Sequence, residues 1–301
     1  MVTGFPLARF LTRLRLTLEM IKFEHSVFAL PFALTGALLA WRDAGFARAA
    51  LAWRIGWIVV AMVAARSVAM AFNRVLDADI DARNPRTKAR HIPAGLLSTG
   101  FSWGFVLASS LLFILAAYEL NTLCFRLAPL ALAVIFTYSF TKRFTSFSHL
   151  VLGFALGIAP AAAWIAIRGS LDLRILWLTA AVTFWTAGFD IIYSCQDYEF
   201  DADAGLFSLP RRLGVAGALL VSRLLHAAML ACLLTLVYSL RLGALSLVGI
   251  AVVAALLTYE QSLVKPDDLS RVNAAFFTMN GYVSVLFFLF WAADIYYASR
   301  Y

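Results

Sequence analysis

Long apolar runs alternate along this chain with short polar breaks. Runs long enough to span a bilayer fall near residues 24–41, 52–73, 101–119, 122–140, 148–168, 173–195, 213–239, 242–264 and 273–297. A transmembrane helix needs about 20 predominantly apolar residues, so the pattern predicts about nine spans. The breaks inside 101–140 and 148–195 are short enough to make each pair an antiparallel hairpin. Ahead of the first run, residues 5–22 set Arg9 and Arg13 against Phe10, Leu11, Leu14 and Leu18. That alternation predicts an amphipathic helix lying in the membrane interface. The fold class is all-α, a polytopic membrane helix bundle.

Two polar rows stand where apolar runs end. Asn73, Asp77 and Asp81 are four apart and share one helix face, as do Asp197 and Asp201, with Tyr193 one turn earlier. Asn73 and Tyr193, Asp77 and Asp197, and Asp81 and Asp201 are all separated by the same 120 residues. The rows close the second and sixth runs, so each half has four spans and the halves are parallel repeats with equivalent ends on one membrane side. The chain then divides as one domain over 1–301: an interfacial segment 1–22, repeats over 23–140 and 141–264, and a ninth helix within 265–301. Carboxylate and amide oxygens suit Mg²⁺, which binds few carboxylates and fills its other positions with water and phosphate. Two rows in register predict one shared site for Mg²⁺ and substrate phosphate, with Asp77, Asp81, Asp197 and Asp201 catalytic and Asn73 a further metal ligand.

Composition agrees with the membrane assignment. Apolar residues make up 62% of the 301 and charged residues 14%, against about 45–50% and about 25% in soluble domains. No small-residue cleavage site follows the first apolar run, so no cleavable signal is expected. Cys124, Cys195 and Cys232 lack metal-ligand spacing, and their odd number argues against a disulfide framework. The formal charge of +8 suits anionic lipid and an anionic substrate, while the scatter of basic residues among spans excludes nucleic acid. With the N-terminus inside, fifteen basic residues fall on the inner side and eight on the outer. This places both rows on the cytoplasmic side of a prokaryotic inner membrane. Nothing points to an obligatory protein partner.

Single residues add to the site. Arg66 lies seven before Asn73 on nearly the same face, and an arginine within a span is costly unless it faces a polar cavity; it is expected to contact diphosphate or order the acids. Asp190 lies seven before Asp197 within an apolar run, so it is either paired or a proton acceptor. Phe72, Tyr138, Phe189 and Tyr193 are candidates for an aromatic wall beside the rows, able to face a cation. The loop bases Arg86, Lys88, Arg90, Arg211 and Arg212 suit either phosphate or the inner leaflet. His25, His91, His149 and His226 have no ligand spacing and read as packing or hydrogen-bonding groups.

These residues resemble the UbiA superfamily of intramembrane aromatic prenyltransferases over essentially the whole chain. The first motif is Asn73-x-x-x-Asp77-x-x-x-Asp81 and the second is Asp197-x-x-x-Asp201 preceded by Tyr193. Tyr138-x-x-x-Lys142-Arg143 and the stretch from His149 to Gly153 also match. Lys22-Phe23-Glu24-His25 and Gly188-Phe189-Asp190 resemble the 4-hydroxybenzoate polyprenyltransferase-like branch, which includes members of a menaquinone route. Arg74 and Gln196 stand where many relatives carry Asp and Lys. The resemblance implies transfer of a polyprenyl group from an allylic diphosphate to the ring of an aromatic acid, 4-hydroxybenzoate or a 1,4-dihydroxy-6-naphthoate, in quinone biosynthesis. It assigns Tyr138 and Lys142 to diphosphate and Arg143 to an acceptor carboxylate, with Lys22 at the entrance of the first span as a further substrate contact. A parallel-repeat transporter is the competing class, but its charges would sit near the midplane on broken helices, whereas these acids sit at helix ends.

Overall fold

Helices follow the apolar runs nearly break for break. The computed structural model describes residues 6–21, 28–44 and 48–298; Lys22 lies outside them. In chain order the helices are α1 (Pro6–Met20), α2 (Leu30–Ala44), α3 (Arg48–Leu76), α4 (Ala78–Arg83), α5 (Thr99–Leu120), α6 (Thr122–Thr141), α7 (Ser148–Arg168), α8 (Leu176–Ser194), α9 (Tyr198–Asp203), α10 (Leu209–Leu240), α11 (Ala244–Ser262) and α12 (Asn280–Ala298). A 3₁₀ turn joins α8 to α9, and a π-helical turn, Ala274–Met279, leads into α12.

Among the described residues, eight helical stretches are long and apolar enough to cross a membrane. The first expected span is represented by α2, only 15 residues long, and the start of that run lies outside the described residues. The protein is a multi-pass membrane protein. Leu107, Leu111, Leu224 and Tyr238 are exposed on the helix surfaces, as residues facing lipid acyl chains would be. In α1, Met20 and Ile21 at its end turn inward onto Val68, Ala71 and Phe72, while Arg13 and Arg15 stay exposed.

Small residues let the helices close up. A Cβ at Gly153 of α7 would meet the Thr183 carbonyl of α8, and one at Gly36 of α2 would meet the Pro160 carbonyl of α7. Such small residues stand in for a hydrophobic driving force between helices in lipid. A buried aromatic stack fills the centre: Phe32 lies 4.6 Å from Phe287 and 4.9 Å from Trp185, and Phe287 lies 4.7 Å from Trp291. Asn121 makes the α5–α6 hairpin. Its side chain accepts from the Cys124 N–H at 2.9 Å and donates to the Ile165 carbonyl at 2.9 Å near the end of α7.

The two halves repeat at the backbone. α3 packs chiefly on α5, and α8 packs heavily on α10. Each row meets a break of the same shape at its first aspartate. Asp77 (φ −96°, ψ 9°) precedes the six-residue α4, and Asp197 (φ −101°, ψ 9°) precedes the six-residue α9. The i to i+4 bonding continues across the first break, with Asp77 N–H to Asn73 carbonyl at 2.9 Å and Asp81 N–H to Asp77 carbonyl at 2.7 Å. The row therefore survives the kink, and Asp81 and Asp201 end up buried.

Candidate active site

Both rows face one polar pocket of about 150 Å³ at a single end of the bundle. Asn73, Asp77 and Asp81 line one side, Asp190, Tyr193, Asp197 and Asp201 the other, and Tyr138, Lys142 and Arg143 come from the end of α6. The α4–α5 loop crosses over and supplies Asn84, Arg86 and Arg90.

Each row acid is held by a basic side chain. Arg86 reaches across to Asp197, donating from Nε to Oδ1 at 2.9 Å and from Nη2 to Oδ2, while its Nη1 donates to the Tyr193 hydroxyl at 3.0 Å. Asn84 donates to the same Asp197 oxygen at 3.1 Å. Arg90 Nη1 donates to both oxygens of Asp81 at 2.6 and 2.8 Å, with Arg74 3.9 Å from that carboxylate. Arg143 donates to Asp77 at 3.0 Å and to the Leu76 carbonyl at 2.9 Å, and Lys142 lies 3.6 Å from Asp201. Asn73 donates to the other Asp77 oxygen at 2.9 Å. Burial pushes the Asp77 carboxyl above its usual range, with Arg143 opposing the shift. At Arg86 burial works against the charge, but the Asp197 carboxylate outweighs it and holds the guanidinium above its ordinary value.

Among the described residues no three acidic, His or Cys side chains converge tightly enough to form a metal cluster. The donors nonetheless fit a hard cation: the two rows present carboxylate and amide oxygens, and Asp201 Oδ2 is buried without a hydrogen bond. Asn73, Asp77, Asp81, Asp197 and Asp201 are the residues that would hold Mg²⁺.

Several expected residues sit elsewhere. Arg66 lines a second, largely apolar cavity of about 140 Å³ and is absent from the lining of the polar pocket. Phe72 is packed with Phe136, Phe140 and Trp103, and Phe189 with Trp185, Phe28 and Phe276, so neither forms the pocket wall. The aromatic lining is Tyr138, Tyr193 and Phe200. Tyr193 is backed by Phe276 and Phe277 of the π turn at 4.2 and 5.9 Å between ring centres. Arg143 engages the first row itself. Asp79 and Glu199 are exposed, as expected of acids pointing away from their rows.

The apolar cavity that takes Arg66 shares Tyr138 with the polar pocket. Through Met62, Phe113 and Ala159 it adjoins a third cavity of about 330 Å³ that reaches Leu171 and Leu176. A polar pocket of acids and bases thus lies beside a row of adjoining apolar cavities, an arrangement that suits a substrate with a charged head and an apolar tail.

Fold and site together define a membrane-embedded prenyltransferase. The UbiA prenyltransferase family matches residues 29–282, and the chain belongs to that family. It is similar to a 4-hydroxybenzoate octaprenyltransferase from Vibrio atlanticus, 29% identical over 238 residues, which is 77% of this chain and 83% of the relative. The apo structure of a UbiA homolog from Aeropyrum pernix K1 is 36% identical with a TM-score of 0.81, covering 90% of this chain and 98% of that one. A UbiA homolog from Archaeoglobus fulgidus bound to DMAPP and Mg²⁺ shares the fold at 20% identity, with a TM-score of 0.71 over 93% of this chain and 99% of that one.

Proposed function

We propose that this protein transfers a polyprenyl group from an allylic diphosphate to the ring of an aromatic acid of the 4-hydroxybenzoate class, in ubiquinone or menaquinone biosynthesis. The observation that carries this is the junction at Tyr138 between a pocket of paired acids and bases and a chain of apolar cavities. The Vibrio relative's name and the Mg²⁺ and allylic diphosphate in the Archaeoglobus homolog support the same reading.

The chain's residues divide the work. A bound Mg²⁺ would neutralise charge on the departing diphosphate. Arg86, Arg90 and Lys142 offer their donors to phosphate oxygens. Tyr138, Tyr193 and Phe200 present ring faces and edges that exclude water and favour an allylic cation. Arg143 binds the acceptor carboxylate bidentately once its hold on Asp77 is exchanged. Asp190 takes the ring proton. The apolar cavities lined by Met62, Phe113 and Ala159 hold the tail. The bias of basic residues supports a pocket at the cytoplasmic face.

The deciding experiment uses membranes containing the protein, Mg²⁺, a labelled prenyl diphosphate and a panel that includes 4-hydroxybenzoate and 1,4-dihydroxy-6-naphthoate. Prenylated aromatic product, lost in excess EDTA, is expected. No product from any aromatic acid, or full turnover in EDTA, overturns the proposal.

A further inference from the structure

Asp190 differs from every other acid of the polar pocket. The row carboxylates each have an Arg or Lys within ion-pair distance. The partner of Asp190 is a histidine: His149 Nδ1 lies 2.7 Å from Asp190 Oδ2. A guanidinium can occupy both oxygens of a carboxylate, as Arg86 does at Asp197 and Arg90 at Asp81. A single imidazole N–H holds one oxygen and leaves the other open to a substrate.

The surroundings of His149 hold its ring in one orientation. Its side chain has no exposure. It is the second residue of α7, and the N–H of Leu209, the first residue of α10, points at its Nε2 across a long 3.5 Å. A backbone donor at Nε2 leaves the ring proton on Nδ1, directed at Asp190. Asp190 Oδ2 is thereby occupied, Oδ1 is the oxygen that this bond leaves open, and Asp190 lines the polar pocket.

We infer that His149 is a positioning residue for the ring-proton transfer, fixing Asp190 so that Oδ1 meets the alkylated ring carbon. This rests on the aromatic prenyl transfer proposed above. In the step, the allylic C–O bond breaks and diphosphate leaves with its electron pair. The ring carbon forms a C–C bond to the allylic carbon. The C–H bond at that ring carbon then breaks, its electrons restore the aromatic ring, and the proton goes to Asp190 Oδ1 and on to solvent as products depart. His149 passes no proton onward, because its Nε2 already accepts from backbone.

Steady-state kinetics with ring-deuterated and ordinary acceptor test this on wild type, His149→Phe and His149→Gln. His149→Phe is expected to lower kcat by about tenfold to a hundredfold, the scale of losing an outer support. Both KM values should stay near wild type, and a C–D isotope effect larger than wild type's should appear as proton removal becomes slow. His149→Gln retains an N–H donor and should recover part of kcat. Where His149→Phe fails to accumulate in the membrane, His149→Gln carries the test alone, with reduced kcat and a raised isotope effect expected. A wild-type isotope effect in the variants, or matched rises in both KM values, overturns the role of His149. Absence of aromatic product with wild type itself overturns the transfer reading and the positioning role together.

Discussion

Asp197 is the most heavily bonded acid of the pocket, taking hydrogen bonds from Arg86 and Asn84. Replacing Asp77, Asp81, Asp197 or Asp201 singly by Ala is expected to lower turnover by at least about a hundredfold, the scale of losing a key electrostatic group. Initial rates at matched membrane content check this, and near-normal rates in either row would remove the shared site. Arg143 makes a different kind of prediction. It sits next to Lys142 in sequence, yet the two reach opposite rows, Asp77 and Asp201. Arg143→Ala should raise KM for the aromatic acid far more than KM for the prenyl diphosphate, and Arg143→Lys should recover only part because the planar fork is lost. Kinetics in nanodiscs varying each substrate in turn decide; equal shifts in both constants refute the acceptor role. At this scale the local rows were readable, because i, i+4 neighbours meet on any helix. The pairing of Arg86 with Asp197, 111 residues away, and of His149 with Asp190 was not, because a loop crossing and a helix approach choose those partners.

The helices explain which larger features were readable. Runs and hairpins emerged from apolar length alone, and the repeat from one constant offset. Facing was harder: a span that is apolar all round carries little signal separating core from pocket, which is why Phe72 and Phe189 were expected at the wall and lie in packed clusters. Asn121→Ala tests the hairpin. It removes the α6 cap and leaves α7 carbonyls short of a donor, so a loss of about 1–2 kcal/mol is expected, read as a lowered unfolding temperature in detergent. The π turn tests how an element serves the site. Asn280 donates to the Phe276 carbonyl at 2.9 Å and lies 3.3 Å from the buried Glu260 of α11. Such turns hold one residue more than an α turn and cluster at functional sites. Deleting one residue within 274–279 should let the helix close as α, leaving Phe287 and Trp291 facing the core. The Phe276 and Phe277 backing of Tyr193 would be lost. Folded protein should persist while turnover falls by about a hundredfold, the cost of roughly 1 Å of misplacement. Loss of folded protein on size exclusion would show that the turn serves stability instead.

Across the whole molecule, the polar pocket and the apolar cavity beside it border the same residue, Tyr138, and the bundle holds both. No single stretch of sequence encodes that junction, since it is made by α3, α6 and α7 together. The resting pocket also neutralises itself. Asp77, Asp81, Asp190, Asp197 and Asp201 are set against Arg74, Arg86, Arg90, Lys142 and Arg143, five against five. Folding therefore does not depend on a divalent ion, and excess EDTA should abolish turnover while leaving the unfolding temperature of the unliganded protein unchanged; a marked drop on scanning calorimetry would contradict this. The same balance sets how ligands depend on one another. A cation entering alone must displace a guanidinium and leaves the pocket with surplus positive charge. A diphosphate entering alone brings surplus negative charge. Arriving together they cancel, so each should tighten the other's binding by the same factor. Titration calorimetry should find Mg²⁺ weak by itself and much tighter in the presence of a non-hydrolysable prenyl diphosphate analogue. The enzyme is then a coincidence detector, closing its chemistry to either ion until its counterpart is present.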